Sequence, residues 1–159
     1  PETRGGSVAG YKRWKRFKAT GLRKYHYTRN DPNKHGVSRL SAYFHYGHIS
    51  PFRIARECQD HGGPGAEKYL DELLIWRELA YLWCDHHRKL DDWNRIPEWA
   101  RQSLLNAAQK HSGPYYSYEQ LHRGQTDDEL WNACQRSLLV HGELHNNLRM
   151  TWGKCQQSW

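Results

Sequence analysis

The stretch YLDELLIWRELAYLW (residues 69–83) decides the fold class. Its apolar residues recur on every side of a 3.6-residue period, so it reads as one helix, apolar all round, and such helices are buried in a larger body. It is too short and too charged to cross a membrane. Within it lie Glu72, Arg77 and Glu78. Charges in an apolar helix are costly unless they are paired or hold a ligand. Glu72, Trp76 and Trp83 share a face at i, i+4 and i+11, and a carboxylate beside an indole can hold a flat polar ring. An internal Glu–Arg ion pair with core tryptophans explains the same spacing.

Working outward, helix signals dominate and strand signals are weak. Residues 8–19 form a basic amphipathic helix ending near Gly21. RNDPNKHG (29–36) is a loop with Asp31-Pro32 and Gly36 as breakers. SRLSAYFHYGH (38–48) carries a short helix ended by Gly47. Ser50 caps, and Pro51 opens, a helix to about Gln59. HGGPG (61–65) interrupts the chain, a long helix covers 66–86, and another covers 95–111. TDDE (126–129) reads as a capping box, with Thr126 capping and Glu129 reaching back, for a helix to about Val140. Gly142 either separates or kinks the segment that follows. The expectation is an all-α chain, a single helical domain over 1–159.

The 159 residues carry a net charge of +7, unevenly spread. Residues 1–40 hold eleven Lys and Arg against Glu2 and Asp31, a balance of +9, which leaves the remainder near −2. A localised basic segment suits phosphate as well as it suits a solvated helix face. The eight Trp and ten Tyr against three Phe suit stacking surfaces, or a tryptophan-rich core. Cys58, Cys84, Cys134 and Cys155 form no CxxC pair and no zinc-finger spacing, which points to reduced, buried thiols and a cytoplasmic protein. No apolar run of signal-peptide or membrane-span length is present, so no membrane partner is expected.

HGELHNNLRMTWGK (141–154) gathers unusually many polar groups. His141 and His145 stand four apart, yet without HExxH or a third ligand no metal is expected. Asn146 and Met150 form a second i, i+4 pair, and an asparagine both donates and accepts, as the edge of a heterocycle requires. HGVSRLS (35–41) offers glycine, hydroxyls, an arginine and a helix start, a setting suited to phosphate.

Four segments in order, RNDP (29–32) with GVSRLSAYFHYGHIS (36–50), LDELLIWREL (70–79), TDDELWNACQ (126–135) and HGELHNNLRMTWGK (141–154), resemble the photolyase/cryptochrome family. The likeness covers about residues 6–159, and its motifs stand closer to class II and related bacterial photolyases. It implies part of the helical FAD-binding domain, without the α/β antenna domain and without the C-terminal end that closes the flavin pocket. It further implies a DNA groove, a flipped-out pyrimidine dimer, and light-driven electron transfer from reduced FAD that splits the cyclobutane ring and recovers the electron. The activity belongs to the full-length deoxyribodipyrimidine photolyase; the part alone is expected to be inactive.

Residue by residue, the resemblance implies that Tyr25, Val37, Ser38, Arg39, Leu40, Ser41 and Arg77 bind FAD, with Val37 in place of a threonine. Glu72 and Trp76 read and pack the dimer, although a class I register would put Leu73 at the position of Glu72. Asn146 and Met150 lie between flavin and lesion, with Asn146 also on the cofactor. Arg29, Trp76 and Asn147 face DNA, and Asn147 stands where class I carries arginine. Lys12, in the basic stretch, is added to the DNA contacts on charge. A cryptochrome-like blue-light sensor and a flavin-free helical nucleic-acid-binding domain are the alternatives.

Overall fold

A computed structural model of the chain describes residues 3–87, 89, 91–110 and 112–156. The described residues are helical, with turns and loops and no strand. They divide between residues 88 and 89 into two compact units.

The first unit begins with α1 (Ser7–Thr20) and a short α2 (Tyr25–Thr28). Then come α3 (Ser41–His45), α4 (Pro51–His61) and α5 (Gly63–Leu70). A π-helical turn, Asp71–Ile75, joins α5 directly to α6 (Trp76–His86). The expected helix over 66–86 is thus continuous, but it starts earlier and carries one wider turn. That turn shifts the register of α6 against α5, so Glu72, Trp76 and Trp83 do not follow the simple 3.6-residue face. Ser50 caps α4 as its sequence demands, its hydroxyl accepting from the Arg53 amide at 3.4 Å with Pro51 in the first turn.

Trp14, Phe17, Leu22, Tyr25, Leu40, Tyr43, Ile49, Ile54, Cys58, Ala66 and Tyr69 form one buried core. Its centre is aromatic. The Tyr69 ring lies 5.1 Å from Tyr25, 5.5 Å from Phe17 and 5.6 Å from Trp14, tilted or edge-on as ring quadrupoles prefer. Half of the tryptophan content does not enter a core: Trp76, Trp83, Trp93 and Trp99 are exposed.

The burial expected for residues 69–83 is not found beyond Tyr69. Leu70 and Leu73 pack against the core from its edge, whereas Ile75, Trp76, Leu79, Tyr81, Leu82 and Trp83 are exposed. The helix projects past the core, so only its first two turns find a partner surface in this unit. The cysteines also divide: Cys58 and Cys134 are buried, Cys84 is exposed and Cys155 is partly covered, all four being free thiols. Burial pushes the Cys58 thiol up to about 12.

The second unit contains α7 (Glu98–Gln109), α8 (Tyr118–Arg123), α9 (Glu129–His141) and α10 (Asn146–Cys155). Position 111, the expected end of the helix over 95–111, lies outside the described residues. Trp131 and Cys134 are buried. Trp131 stacks on Trp152 at 5.9 Å and donates its indole N–H to the Trp152 carbonyl at 2.9 Å.

The capping expected at Thr126 is corrected here. Asp128 caps α9, its carboxylate accepting from the Trp131 amide at 2.9 Å. The Thr126 hydroxyl instead donates to Asn132 Oδ1 and accepts from the Asp128 amide, because the buried Asn132 amide needs both edges satisfied. A reciprocal capping box does form, at Ser117 and Gln120 of α8. Gly142 ends α9 in the left-handed region at φ 69°, so it separates α9 from α10 and does not merely kink one helix. No described helix is long and apolar enough to cross a membrane.

One close approach orders the first unit. A Cβ on Gly65 would lie 2.0 Å from the Leu22 carbonyl oxygen and 2.8 Å from that of Arg23. Both obstacles are backbone, so neither swings away. Gly65→Ala is therefore expected to lower stability by about 3 kcal/mol, the upper end for overpacking. Thermal denaturation checks this; an unchanged midpoint contradicts the close packing of α5 on the 22–24 turn.

Candidate functional site

The π turn sets Glu72 between two cations. Lys68, one turn earlier, brings Nζ to 2.9 Å from Glu72 Oε1. Arg29, just past α2, brings Nη2 to 2.7 Å from the same oxygen. The first contact follows from i, i+4 spacing. The second requires α2 to pack on α5. Both side chains of the Arg29–Glu72 pair are mostly covered, at 16% and 23% exposure. Lys68 also pairs with Asp71, and the two carboxylates push its ammonium up. The ion pair weighed for Glu72 is therefore real, but its arginine is Arg29 and not Arg77. Arg29 also lies 5.8 Å over the Tyr25 ring. Burial pushes the Tyr25 phenol up, against the opposing pull of that guanidinium.

Beside this carboxylate runs an open cleft of about 610 Å³. Ser41, Ala42, Phe44, His45 and Tyr46 form one side, and Glu72, Leu73 and Arg77 the other. Ser41, Glu72 and Arg77, three of the residues singled out from sequence, thus meet on one surface. Arg77 donates to the Tyr81 hydroxyl at 2.9 Å and lies 5.1 Å over that ring.

The rest of the 37–41 loop sits differently. Leu40 is buried in the core. The Ser38 and Tyr69 hydroxyls share a 3.0 Å hydrogen bond. Arg39 adopts a left-handed backbone at φ 54°, which is uncommon outside glycine and recurs where function over-determines the chain. Val37 is half-buried. None of these four lines the cleft, nor does Tyr25, which belongs to the aromatic core. Trp76, 63% exposed, opens α6 without lining it.

Lys12 lies elsewhere. A groove of about 480 Å³ between α1 and α4 is lined by Tyr11, Lys12, Trp14, Lys15, Lys18, Arg53 and Glu57, and it shares no lining residue with the Glu72 cleft. Glu57 Oε2 accepts from Lys18 Nζ at 2.6 Å and from the Trp14 indole at 2.8 Å, while Oε1 accepts from Arg53 Nε at 3.0 Å. Led by the Lys18 hydrogen bond, these donors hold the Glu57 carboxyl down at about 2.

In the second unit, Asn146 Oδ1 accepts from Arg149 Nη2 at 2.7 Å, and Met150, one turn on, is 56% exposed. Asn147 is exposed at the start of α10. His145 is the N-cap of α10 and His141 closes α9, so the two imidazoles do not share a helix face. Among the described residues no group of three or more His, Cys, Asp or Glu is placed to hold a metal.

Sequence reasoning missed Lys68, although its i, i+4 relation to Glu72 is written in the chain. It also missed Phe44, His45 and Tyr46 as a cleft wall, and Glu57, whose partners lie up to 43 positions away.

No family model matches the chain. The chain is 37% identical over 147 residues to a deoxyribodipyrimidine photo-lyase of Oryza sativa subsp. japonica, covering 90% of this chain and 29% of that protein. It is 34% identical over 157 residues to the photo-lyase of Potorous tridactylus, covering 97% and 30%, and 31% identical over 156 residues to that of Methanothermobacter thermautotrophicus, covering 98% and 35%. The chain belongs to the deoxyribodipyrimidine photo-lyase family and spans about a third of the length of the curated relatives it matches.

The Glu57 cluster makes a pH prediction. A carboxyl held near 2 when folded, against an ordinary 4.5, stabilises the fold fully above about pH 4.5 and loses that contribution as pH falls toward 2. Wild type is expected to exceed Glu57→Gln in stability at neutral pH, with the gap closing across that window in acid titrations followed by circular dichroism. A gap that stays constant to pH 2 contradicts the assignment.

Proposed function

We propose that this chain is the FAD- and DNA-binding part of a light-driven repair enzyme that splits cyclobutane pyrimidine dimers. The observation that carries the reading is the meeting of Ser41, Glu72 and Arg77 on one cleft, with Arg29 bonded to Glu72, in a chain of the photo-lyase family. The cleft falls in the size range of cofactor pockets. Its donors suit an anionic cofactor: a guanidinium at Arg77 and a hydroxyl at Ser41 are phosphate-binding groups. Reduced flavin, when bound, supplies the photochemical electron.

The residues of the chain bind and orient. Arg77 and Ser41 hold phosphate oxygens at the cleft, and Arg39 and Ser38 shape the loop behind it. Glu72 presents a carboxylate able to accept from the ring N–H groups of a flipped pyrimidine. Trp76, exposed at the head of α6, packs the lesion and meets the DNA. Arg29 then serves two partners, the Glu72 carboxylate and a DNA phosphate. On α10, taken by itself, Asn146 and Met150 present an amide and a thioether of the kind that suits contacts with flavin and lesion, and Asn147 presents an amide suited to DNA. The thiols stay reduced, as in the cytoplasm.

Arg77→Ala is expected to lower flavin retention, read as the flavin absorbance of the purified protein, far more than it lowers DNA affinity. In the complete polypeptide, Glu72→Gln is expected to leave flavin content intact and to reduce dimer splitting under blue light by about tenfold or more, the order for removing one charged hydrogen bond at a reacting centre. Colourless preparations of both this chain and the complete polypeptide contradict the reading. Bound dimer that stays intact under light while flavin is reduced favours a sensor instead.

A further inference from the structure

The groove between α1 and α4 has no part in the chemistry above, yet its composition is one-sided. Lys12, Lys15, Lys18 and Arg53 line it, and Glu57 is its sole acid. Glu57 is already engaged on both oxygens, by Trp14 and Lys18 on one and by Arg53 on the other. It works as a brace that aims two cations along the groove. Arg53 is fixed further by lying 4.2 Å over the Tyr11 ring. Lys12 and Lys15 are exposed and make no ion pair among the described residues.

We propose that this groove is a second nucleic-acid contact, separate from the Glu72 cleft, which holds consecutive phosphates of one DNA strand through Lys12, Lys15, Lys18 and Arg53. The proposal rests on the reading that the protein handles DNA, and it adds where and how the backbone is held. The spacing argues for an extended polyanion and not a single small anion. Lys12 to Lys18 spans about 9 Å along the axis of α1 at 1.5 Å per residue. A DNA strand presents a phosphate every 3.4 Å or so of axial rise, so that span meets more than one. Cations outnumber available rings: Trp14 is buried and Tyr11 is covered by Arg53, so no face is left for a base to stack on. The groove therefore reads backbone charge without sequence.

The test compares wild type with a Lys12→Ser/Lys15→Ser double variant, binding a 20-base-pair duplex without lesions between about 50 and 200 mM salt. The double variant is expected to reduce the slope of log affinity against log salt by about 2, one for each phosphate no longer neutralised. A Lys110→Ser/Lys154→Ser variant, which removes equal charge from the second unit, is expected to keep the wild-type slope. An unchanged slope in the groove variant overturns the proposal, as does an equal fall in the control. Polyglutamate of equal charge bound as tightly as the duplex, with the same sensitivity to Lys12 and Lys15, also overturns it and makes the groove a peptide site. Flavin absorbance separates the two readings. Its absence from both this chain and the complete polypeptide, with an altered slope, sinks the repair assignment alone, and its presence with an unaltered slope sinks the groove alone.

Discussion

At position 65 the backbone of α5 runs against the carbonyl of Leu22, in space that any side chain would fill. Much of the first unit follows from that approach. It lets α5 lie flat on the 22–24 turn and on α2, which brings Tyr69 into the ring cluster with Trp14, Phe17 and Tyr25. The same approach carries Arg29 to within 2.7 Å of Glu72, and sets the Tyr69 hydroxyl against Ser38 in the loop before α3. A wider spacing would loosen the core and part the ion pair together, because helix and turn move as rigid pieces.

Two carboxylates illustrate how the unit handles charge. Glu72 and Glu57 are each three-quarters covered or more, and each is held by two cations from different elements or turns. Partial burial makes such pairs directional, since a half-removed partner leaves a charge poorly solvated. Around Glu57 the result is a rigid basic groove. Around Glu72 it is a carboxylate fixed at the rim of an open cleft that Arg77 and Ser41 also face. The π turn matters here because it places Glu72 and Arg77 on the same opening, at a point where an unbroken α-helix would have rotated one of them away.

The all-α class was legible in residues 69–83 and in the caps that punctuate the rest. Ser50-Pro51 and the break at Gly62 act within three or four residues of the bonds they make, so they read directly, whereas α5 begins at Gly63, ahead of the expected start at 66. Where two local signals competed, the reading slipped. At TDDE both Thr126 and Asp128 are able caps, and the choice went to Asp128 because buried Asn132 claimed the Thr126 hydroxyl. The burial expected for 76–83 failed for a related reason: periodicity reports that a helix is apolar, not how far the neighbouring core extends beneath it.

The sequence by itself determined the helical class, most element ends, the family likeness and the basic character of the first forty residues, all of which rest on residue type and short spacing. Tertiary structure alone decided that Glu72 is bonded to Arg29, that Lys12 belongs to a groove apart from the Glu72 cleft, that Leu40 and Tyr25 are core, and that Glu57 is a brace. Those interactions join residues up to 43 positions apart. Their geometry depends on how closely helices approach, which a side chain's chemistry constrains but does not specify until the glycine, the rings and the turn have been packed together.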